Sequence, residues 1–258
     1  MPSVLRDLAD LVLPVTCAGC GAPGPALCAL CLRRWSAPPQ RCEHLAGRLD
    51  RMDGTVLPVV ALAVNTGSVR RAVGAWKDGG RADLTPWFAA VAARAVPGVE
   101  TALAGVARAG VAATGAVDRM PLVVVPAPPS PHGLARRGED LVARVAGTLA
   151  GGIGRSRPAT VERALRLGGR GSDQVGLGVR GRAANLAGRV RVRRRSRPAL
   201  AGADVLLVDD VLTTGATLAA CRSALEAVGA RPVGAVVLAV TPPPGASGGR
   251  LEPAANRG

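Results

Sequence analysis

The chain has 258 residues and 48% of them are hydrophobic, so it can bury a substantial core, which excludes a wholly disordered protein. Lys and Arg number 33 against 18 Asp and Glu, and the formal charge of +15 favours polyanionic partners or phosphate-rich substrates. Aromatic residues make up only 2% of the chain, which argues against a surface that stacks nucleic-acid bases.

No stretch of the chain is typical of a membrane protein or of a secreted one. The longest apolar run, Val56 to Val64, is far shorter than the about 20 residues of a membrane-spanning helix. The first residues include acids where a secretory signal has basic and then apolar residues. We therefore expect a cytoplasmic protein without a membrane span.

The predicted elements follow one another in the order of an α/β sheet. Residues 3–13 are expected to form a short amphipathic helix before a cysteine-rich segment. Strands are predicted near 56–64, 122–126, 204–209 and 232–240, and helices near 68–78, 86–96, 133–149, 178–186 and 215–228. Residues 98–118 show no clear period, 151–177 are expected to form a mobile Gly- and Arg-rich excursion, and 241–258 a disordered tail. This pattern predicts an N-terminal module over 1–48 and an α/β domain over 55–240.

Four cysteines form two Cys-x-x-Cys pairs, Cys17 with Cys20 and Cys28 with Cys31. Two such knuckles can place four thiolates around one tetrahedral zinc ion, which would stabilise a segment too short to bury its own core. Free thiols or disulfides are the alternative. Cys221 lies on the inward face of a predicted helix and is expected to be a core residue.

The strongest functional pattern is the segment Asp204–Thr217. Four consecutive aliphatic residues, Val205–Val208, predict a strand that is buried on both faces, and polar residues and a helix follow it. Asp209 and Asp210 therefore lie at the carboxyl end of a parallel strand, where open α/β sheets bind ligands.

The residue types in this segment suit a sugar phosphate. Successive backbone amides of Thr213–Thr217 at a helix start can bind a phosphate, and Gly215 allows a close approach of the backbone. The carboxylates of Asp209 and Asp210 suit sugar hydroxyls or Mg²⁺. A turn and helix cap without a ligand is the alternative interpretation.

The segment Val208–Thr217 resembles the phosphoribosyl pyrophosphate (PRPP) motif of type I phosphoribosyltransferases. The resemblance implies a type I phosphoribosyltransferase-like parallel sheet flanked by helices over 55–240, and PRPP with Mg²⁺ as ligands. It implies that Asp209 and Asp210 contact the ribose hydroxyls as catalytic residues, and that the phosphate is held by Thr213, Thr214, Gly215, Ala216 and Thr217.

Four landmarks together resemble the ComF family of competence-related proteins. They are the double Cys-x-x-Cys, the segment Arg70–Gly80, Val125–Pro128 leading to Arg136-Arg137-Gly138, and Gln174 to Asn185. The family usually continues Phe-Asn-Gln after Arg-Gly, whereas this chain has Glu139-Asp140-Leu141. Cys42 and His44 resemble the remnant of a second knuckle in relatives, but we do not expect them to bind the same ion, since four thiolates already complete its shell.

A PRPP site also needs cations against the pyrophosphate, which leaves with most of the negative charge. The turn at 127–130 and a mobile loop around 166–182 are expected to supply this part of the site and a lid. The candidate side chains are Arg136, Arg137, Arg180, Arg182 and Lys77. Solvated arginines and a solvated helix end are the alternative.

A dense basic run precedes the PRPP strand and consists of Arg189, Arg191, Arg193, Arg194, Arg195 and Arg197. The alternation at its start suits one face of a hairpin. The run is either a solvated face or a sequence-independent nucleic-acid contact, and the ComF resemblance favours the second.

Two functions follow from these patterns. The first is Mg²⁺-dependent transfer of the phosphoribosyl group from PRPP to an acceptor that no residue pattern identifies. The second is a binding protein that keeps the PRPP site without catalysis. It would act in DNA uptake through zinc and basic surfaces, with single-stranded DNA and competence proteins as partners.

Overall fold

The computed structural model describes residues 15–51, 53–110, 121–130, 133–135, 139–168 and 188–243. The predicted helices at 3–13 and 178–186 lie outside these residues, as does most of the predicted tail.

Eight strands are present in the described ranges. They are β1 Gln40–Arg41, β2 Val59–Val64, β3 Leu122–Pro126, β4 Ala159–Val161, β5 Leu165–Leu167, β6 Val190–Val192, β7 Asp204–Leu212 and β8 Arg231–Val240. Six of them form one sheet in the order β1-β2-β8-β7-β3-β4, in which β1 is antiparallel to β2 and every other neighbouring pair is parallel. Strands β5 and β6 form a separate antiparallel ribbon.

The helices are α1 Ala29–Leu32, α2 Gly67–Lys77, α3 Thr85–Gly110, α4 Leu141–Ile153, α5 Arg197–Leu200 and α6 Ala216–Glu226. Within the part of the chain that is described, no helix is both long enough and apolar enough to cross a bilayer.

The sheet is covered on both faces, which explains why its central strands are continuous apolar runs. Helices α2, α3 and α4 pack on one face, against residues such as Val124 and Leu206. Helix α6 and the β5–β6 ribbon pack on the other face, against residues such as Val205 and Leu207. The predicted fold class, a mostly parallel sheet flanked by helices, is confirmed.

Three predictions for individual elements need correction. Helix α3 passes through Pro97 and continues to Gly110, although the pattern predicted an end near 96. The described residues at the start of the predicted 151–177 excursion instead finish α4 and form β4 and β5, which are too short to show a period. Strand β7 does not end at Asp209 but continues to Leu212.

Asp140 belongs to the segment Glu139-Asp140-Leu141, which replaces the usual Phe-Asn-Gln of the ComF family, and it has a structural role here. It is the N-cap of α4, and its Oδ1 accepts a hydrogen bond of 3.1 Å from the amide of Ala143. The same buried carboxylate lies 3.2 Å from the guanidinium of Arg163. Asp140 therefore begins α4 and connects it to the segment between β4 and β5.

The cysteine-rich segment shares its core with the sheet. Trp35, which follows α1, packs edge-on against Phe88 of α3 at a centroid distance of 5.2 Å. Phe88 also contacts Trp76 of α2 at 4.8 Å, and the indole of Trp76 donates to the hydroxyl of Thr85. These three rings are fully or almost fully buried, so they join the segment to α2 and α3.

Candidate functional site

The carboxyl ends of the central parallel strands lie at one edge of the sheet. Strand β7 ends there in the segment that contains Asp209 and Asp210, between β3 and β8. Successive strand residues point to opposite faces of a sheet. Asp210 accordingly reaches α2 on one face, whereas Asp209 faces the side that is covered by α6.

Asp210 forms an ion pair with Lys77, the last residue of α2. The Lys77 ammonium lies 2.7 Å from Oδ2 of Asp210 and 2.9 Å from Oδ1. Oδ1 also accepts a hydrogen bond of 2.7 Å from the amide of Val211. The Asp210 side chain is 10% exposed and the Lys77 side chain 45%, so the ammonium lies nearer the solvent than the carboxylate it neutralises.

Asp209 lies in a less favourable environment for a charge. Burial raises the pKa of Asp209 to about 7, and repulsion from Asp210 adds to this rise, although Lys77 and the Asp210 amide oppose it. Burial lowers the pKa of Lys77, but the attraction of Asp210 and Asp209 outweighs burial and raises this pKa above its usual value. Lys77 thus neutralises Asp210 directly and acts on Asp209 only through its charge.

The loop after β7 presents unused backbone donors. Within the described ranges, the amides of Thr213–Thr217 donate to no protein acceptor, although Gly215 itself accepts from the amide of Ala219. Thr213 and Thr214 are exposed, and α6 begins immediately after Gly215. A helix start with free amides and hydroxyls is suited to bind a phosphate group.

Gly215 fits this loop for two physical reasons. Its φ of +82° lies in the left-handed region, and a Cβ at this position would lie 2.8 Å from Cγ of Leu49 and 3.0 Å from Cβ of Ala46. The amide of Arg48 donates to the carbonyl of Thr214 at 3.2 Å. The segment 46–49 therefore supports the loop from behind, a contact that the sequence pattern did not reveal.

The turn predicted to bind pyrophosphate lies next to this loop. Strand β3 pairs with β7 up to Pro126 opposite Val208, and the amide of Ala127 donates to the carbonyl of Val208 at 2.7 Å. The hydroxyl of Ser130 accepts a hydrogen bond from the amide of Gly133. The turn at 127–130 thus begins beside the two carboxylates.

Of the candidate cations, the structure describes only Lys77, and it places Lys77 on Asp210. Arg136, Arg137, Arg180 and Arg182 lie outside the described residues. The basic run begins just before β6 and continues through the turn and helix that follow it. The alternation at its start corresponds to the predicted hairpin, since β6 pairs with β5.

The four N-terminal cysteines converge. Their Sγ atoms all lie within 4.8 Å of one another, and those of Cys20 and Cys28 are 3.7 Å apart. Zn–S bonds of about 2.3 Å would place tetrahedral sulfur ligands about 3.8 Å apart. The cluster therefore fits a zinc ion, and none of its four cysteines forms a disulfide.

Hydrogen bonds and burial shift the pKa values of two thiols of this cluster in opposite directions. Burial raises the pKa of Cys17, but the amides of Cys28, Cys20 and Gly19 lower it more, to about 6. Burial and the neighbouring thiols raise the pKa of Cys31 to about 12. A cation at the centre would favour the thiolate form of all four residues.

The other singled-out residues lie apart from this cluster. Cys42 is fully buried and its thiol donates to the carbonyl of Val59, while His44 is exposed. Cys221, on the inward face of α6, is buried in the core, as predicted. His132 lies outside the described residues.

Comparison with known families agrees with this geometry. Residues 133–252 match the model of the phosphoribosyl transferase domain. The match covers a little under half of the chain. It contains α4, β4–β8 and α6, and with them the carboxylate pair and the loop Thr213–Thr217. No curated protein matches the chain.

The close packing behind Gly215 yields a test with a matched control. Gly229 has nearly the same φ, +81°, but a Cβ there would meet nothing within 4 Å. We expect Gly229→Ala to cost about 1 kcal/mol through backbone strain alone. Gly215→Ala should cost about 1–3 kcal/mol more because it also overpacks the loop against Leu49. Urea unfolding of both variants measures this difference, and equal losses would contradict the role of segment 46–49.

The cysteine cluster predicts one zinc ion per chain in protein purified under reducing conditions. Cys20 is exposed, so Cys20→Ser should act through the metal rather than through packing. We expect this variant to lose zinc and to unfold about 5–10 °C lower. Cys42→Ala, which removes a thiol outside the cluster, should keep the metal. Elemental analysis with thermal unfolding measures both, and well under one zinc per wild-type chain would refute the site.

Proposed function

We propose that this protein binds PRPP with Mg²⁺ through the end of β7 and transfers the phosphoribosyl group to a nucleophilic acceptor. The observation that carries the proposal is the loop Thr213–Thr217, whose free amides follow directly on two carboxylates. Hydrogen-bond donors that suit a phosphate lie beside two acids that would repel it. A phosphorylated pentose matches both parts, because its phosphate can bind the donors and its hydroxyls can bind the acids. The match to the phosphoribosyl transferase domain supports the same ligand.

Each part of PRPP has a suitable partner in this proposal. The 5′-phosphate lies against the amides and hydroxyls of Thr213, Thr214, Gly215, Ala216 and Thr217. Asp209 and Asp210 accept hydrogen bonds from the ribose hydroxyls. The pyrophosphate extends toward the turn at 127–130 and the candidate residues Arg136, Arg137, Arg180 and Arg182.

The residues act mainly by orientation and charge. In the transfer, the bond between the anomeric carbon and the pyrophosphate oxygen breaks, and the acceptor forms a new bond to that carbon. Positive charge develops at the sugar ring, where the two carboxylates stabilise it. The carboxylate oxygens of Asp209 and Asp210 are ligands of the type that Mg²⁺ prefers, and a bound Mg²⁺ would supply positive charge against the pyrophosphate.

We also propose that the chain is a ComF-type protein with a zinc module over 1–48, working in the cytoplasm. The convergent cysteines and the PRPP-type loop support this interpretation. In this arrangement zinc is structural, because four thiolates complete its coordination shell and leave no position for a substrate.

PRPP binding tests the main proposal directly. Isothermal titration with Mg²⁺ should show binding by the wild type and at least tenfold weaker binding by Asp209→Asn/Asp210→Asn. Asp204→Asn removes a carboxylate at the opposite end of the same strand, where Asp204 accepts a hydrogen bond from Arg231, and should bind PRPP normally.

Equal PRPP affinities of the double variant and the wild type would contradict the assignment of the site. Pyrophosphate release in the presence of bases or amines separates transfer from binding. Normal PRPP binding with no release for any acceptor would favour the non-catalytic alternative.

A second function, binding of single-stranded DNA, is favoured by the register of the ribbon. Arg166 lies directly opposite Arg191, and like charges in this position destabilise a strand pair. The Nε atoms of Arg189 and Arg193 are buried without a hydrogen-bond partner. Among the described residues, no carboxylate forms an ion pair with any of these four. Phosphates of a polyanion would compensate this charge.

The DNA hypothesis predicts an effect of position and not only of net charge. Arg166→Gln/Arg191→Gln should weaken binding of a single-stranded oligonucleotide several-fold and reduce the slope of log K against log salt by about 1.4. Arg94→Gln/Arg155→Gln removes the same charge from two exposed positions elsewhere and should bind normally. Fluorescence anisotropy at several salt concentrations measures both. An equal loss of DNA affinity in the two double variants would contradict a specific role of the ribbon and indicate a general effect of net charge.

A further inference from the structure

The ion pair between Lys77 and Asp210 joins two parts of the chain that are separated by 133 positions. Lys77 is the only lysine in the chain, although arginine is abundant. Its ammonium contacts both oxygens of the Asp210 carboxylate, at 2.7 and 2.9 Å. A single charged group therefore bridges the two oxygens of this carboxylate.

The remaining oxygen positions of the acid pair are also largely used. Oδ1 of Asp210 accepts from the amide of Val211, and Oδ1 of Asp209 accepts from the amide of Asp210. Only Oδ2 of Asp209 has no hydrogen bond within the described part of the chain. Three of the four carboxylate oxygens thus already accept a hydrogen bond or contact the ammonium, and a divalent cation at this pair would meet a competing positive charge 2.7 Å from Oδ2 of Asp210.

The position of Lys77 is fixed by its helix and is not that of a loose surface side chain. The preceding residue, Trp76, is 1% exposed and belongs to the aromatic cluster. Earlier in the helix, the Arg71 guanidinium donates to the carbonyl of Gly19 at 2.6 Å. Helix α2 is therefore held at both its apolar and its polar side, and its C-terminal lysine is directed to Asp210.

We propose that Lys77 is a positioning residue that takes the place of a divalent cation at Asp210, so that the substrate-free site excludes Mg²⁺ and admits it only together with the oxygens of a pyrophosphate. This inference rests on the proposed function for its substrate, but the exclusion of metal from the free site is a separate property. The order of binding then follows from this ion pair, because the charge of Lys77 repels a free divalent cation, whereas the negative charge of a pyrophosphate offsets that repulsion.

Binding of Mn²⁺ to the substrate-free, zinc-loaded full chain tests the inference without PRPP. We expect the wild type to bind Mn²⁺ weakly in an electron paramagnetic resonance titration, and Lys77→Met to bind it at least tenfold more tightly. Lys77→Gln tests the same loss of charge with a polar side chain if the first variant does not fold. Arg70→Met removes a charge from the same helix and should behave as the wild type, because the exposed guanidinium of Arg70 donates to the carbonyl of Asn65 and not to an acid of the site.

A double variant, Lys77→Met/Asp210→Asn, locates the metal. It should return to weak Mn²⁺ binding if the metal gained by Lys77→Met lies on Asp210. Unchanged Mn²⁺ affinity in both neutral Lys77 variants would overturn the inference, as would an equal gain in Arg70→Met, which would indicate a general charge effect.

The two proposals can fail separately. Tighter Mn²⁺ binding in Lys77→Met, together with no PRPP binding by the wild type, would leave the metal exclusion standing and refute the proposed substrate. PRPP binding that depends on Asp209 and Asp210, together with no Mn²⁺ effect, would refute the role of Lys77 alone.

Discussion

Two adjacent carboxylates at the buried end of one strand are the constraint on which the rest of this site depends. Asp209 and Asp210 repel each other, and each loses hydration in the interior, so the pair persists only with compensation from neighbouring groups. Lys77 supplies a charge to Asp210, while backbone amides of the same strand donate to both acids. The apolar face of α2 packs on the sheet and thereby sets where Lys77 lies. The position of the positive charge in the site thus depends on the packing of α2, a helix outside both β7 and the loop that follows it.

The parts of this structure that the sequence predicts are those in which a local pattern determines the outcome. The aliphatic runs Leu122–Val125 of β3 and Val205–Val208 of β7 are sufficient to predict buried strands, because continuous apolar runs are typical of parallel strands that are covered on both faces. The spacing of the two Cys-x-x-Cys pairs is likewise local, and it is sufficient to predict that the four thiols converge.

Other features depend on distant partners and could not be predicted in this way. Strand β7 continues through Asp209 and Asp210 because β8 pairs with it as far as Leu212, although polar residues normally indicate the end of a buried strand. Helix α3 continues past Pro97, which removes one hydrogen bond but does not outweigh the burial of the helix against the sheet. The pairing of Lys77 with Asp210 is an outcome of the tertiary fold, and its only sequence signal is a solitary lysine in an arginine-rich chain.

The N-terminal segment is best understood as a support for this site. It touches the site at two places: segment 46–49 packs behind Gly215, and the carbonyl of Gly19, between two cysteines of the cluster, accepts a hydrogen bond from Arg71 of α2. One contact supports the loop with free amides, and the other holds the helix that carries Lys77. Because the segment has too little apolar area to fold alone, a metal held by its four thiolates would stabilise both contacts at once. A zinc ion held by these thiolates would thereby influence the carboxylates and the loop through packing alone.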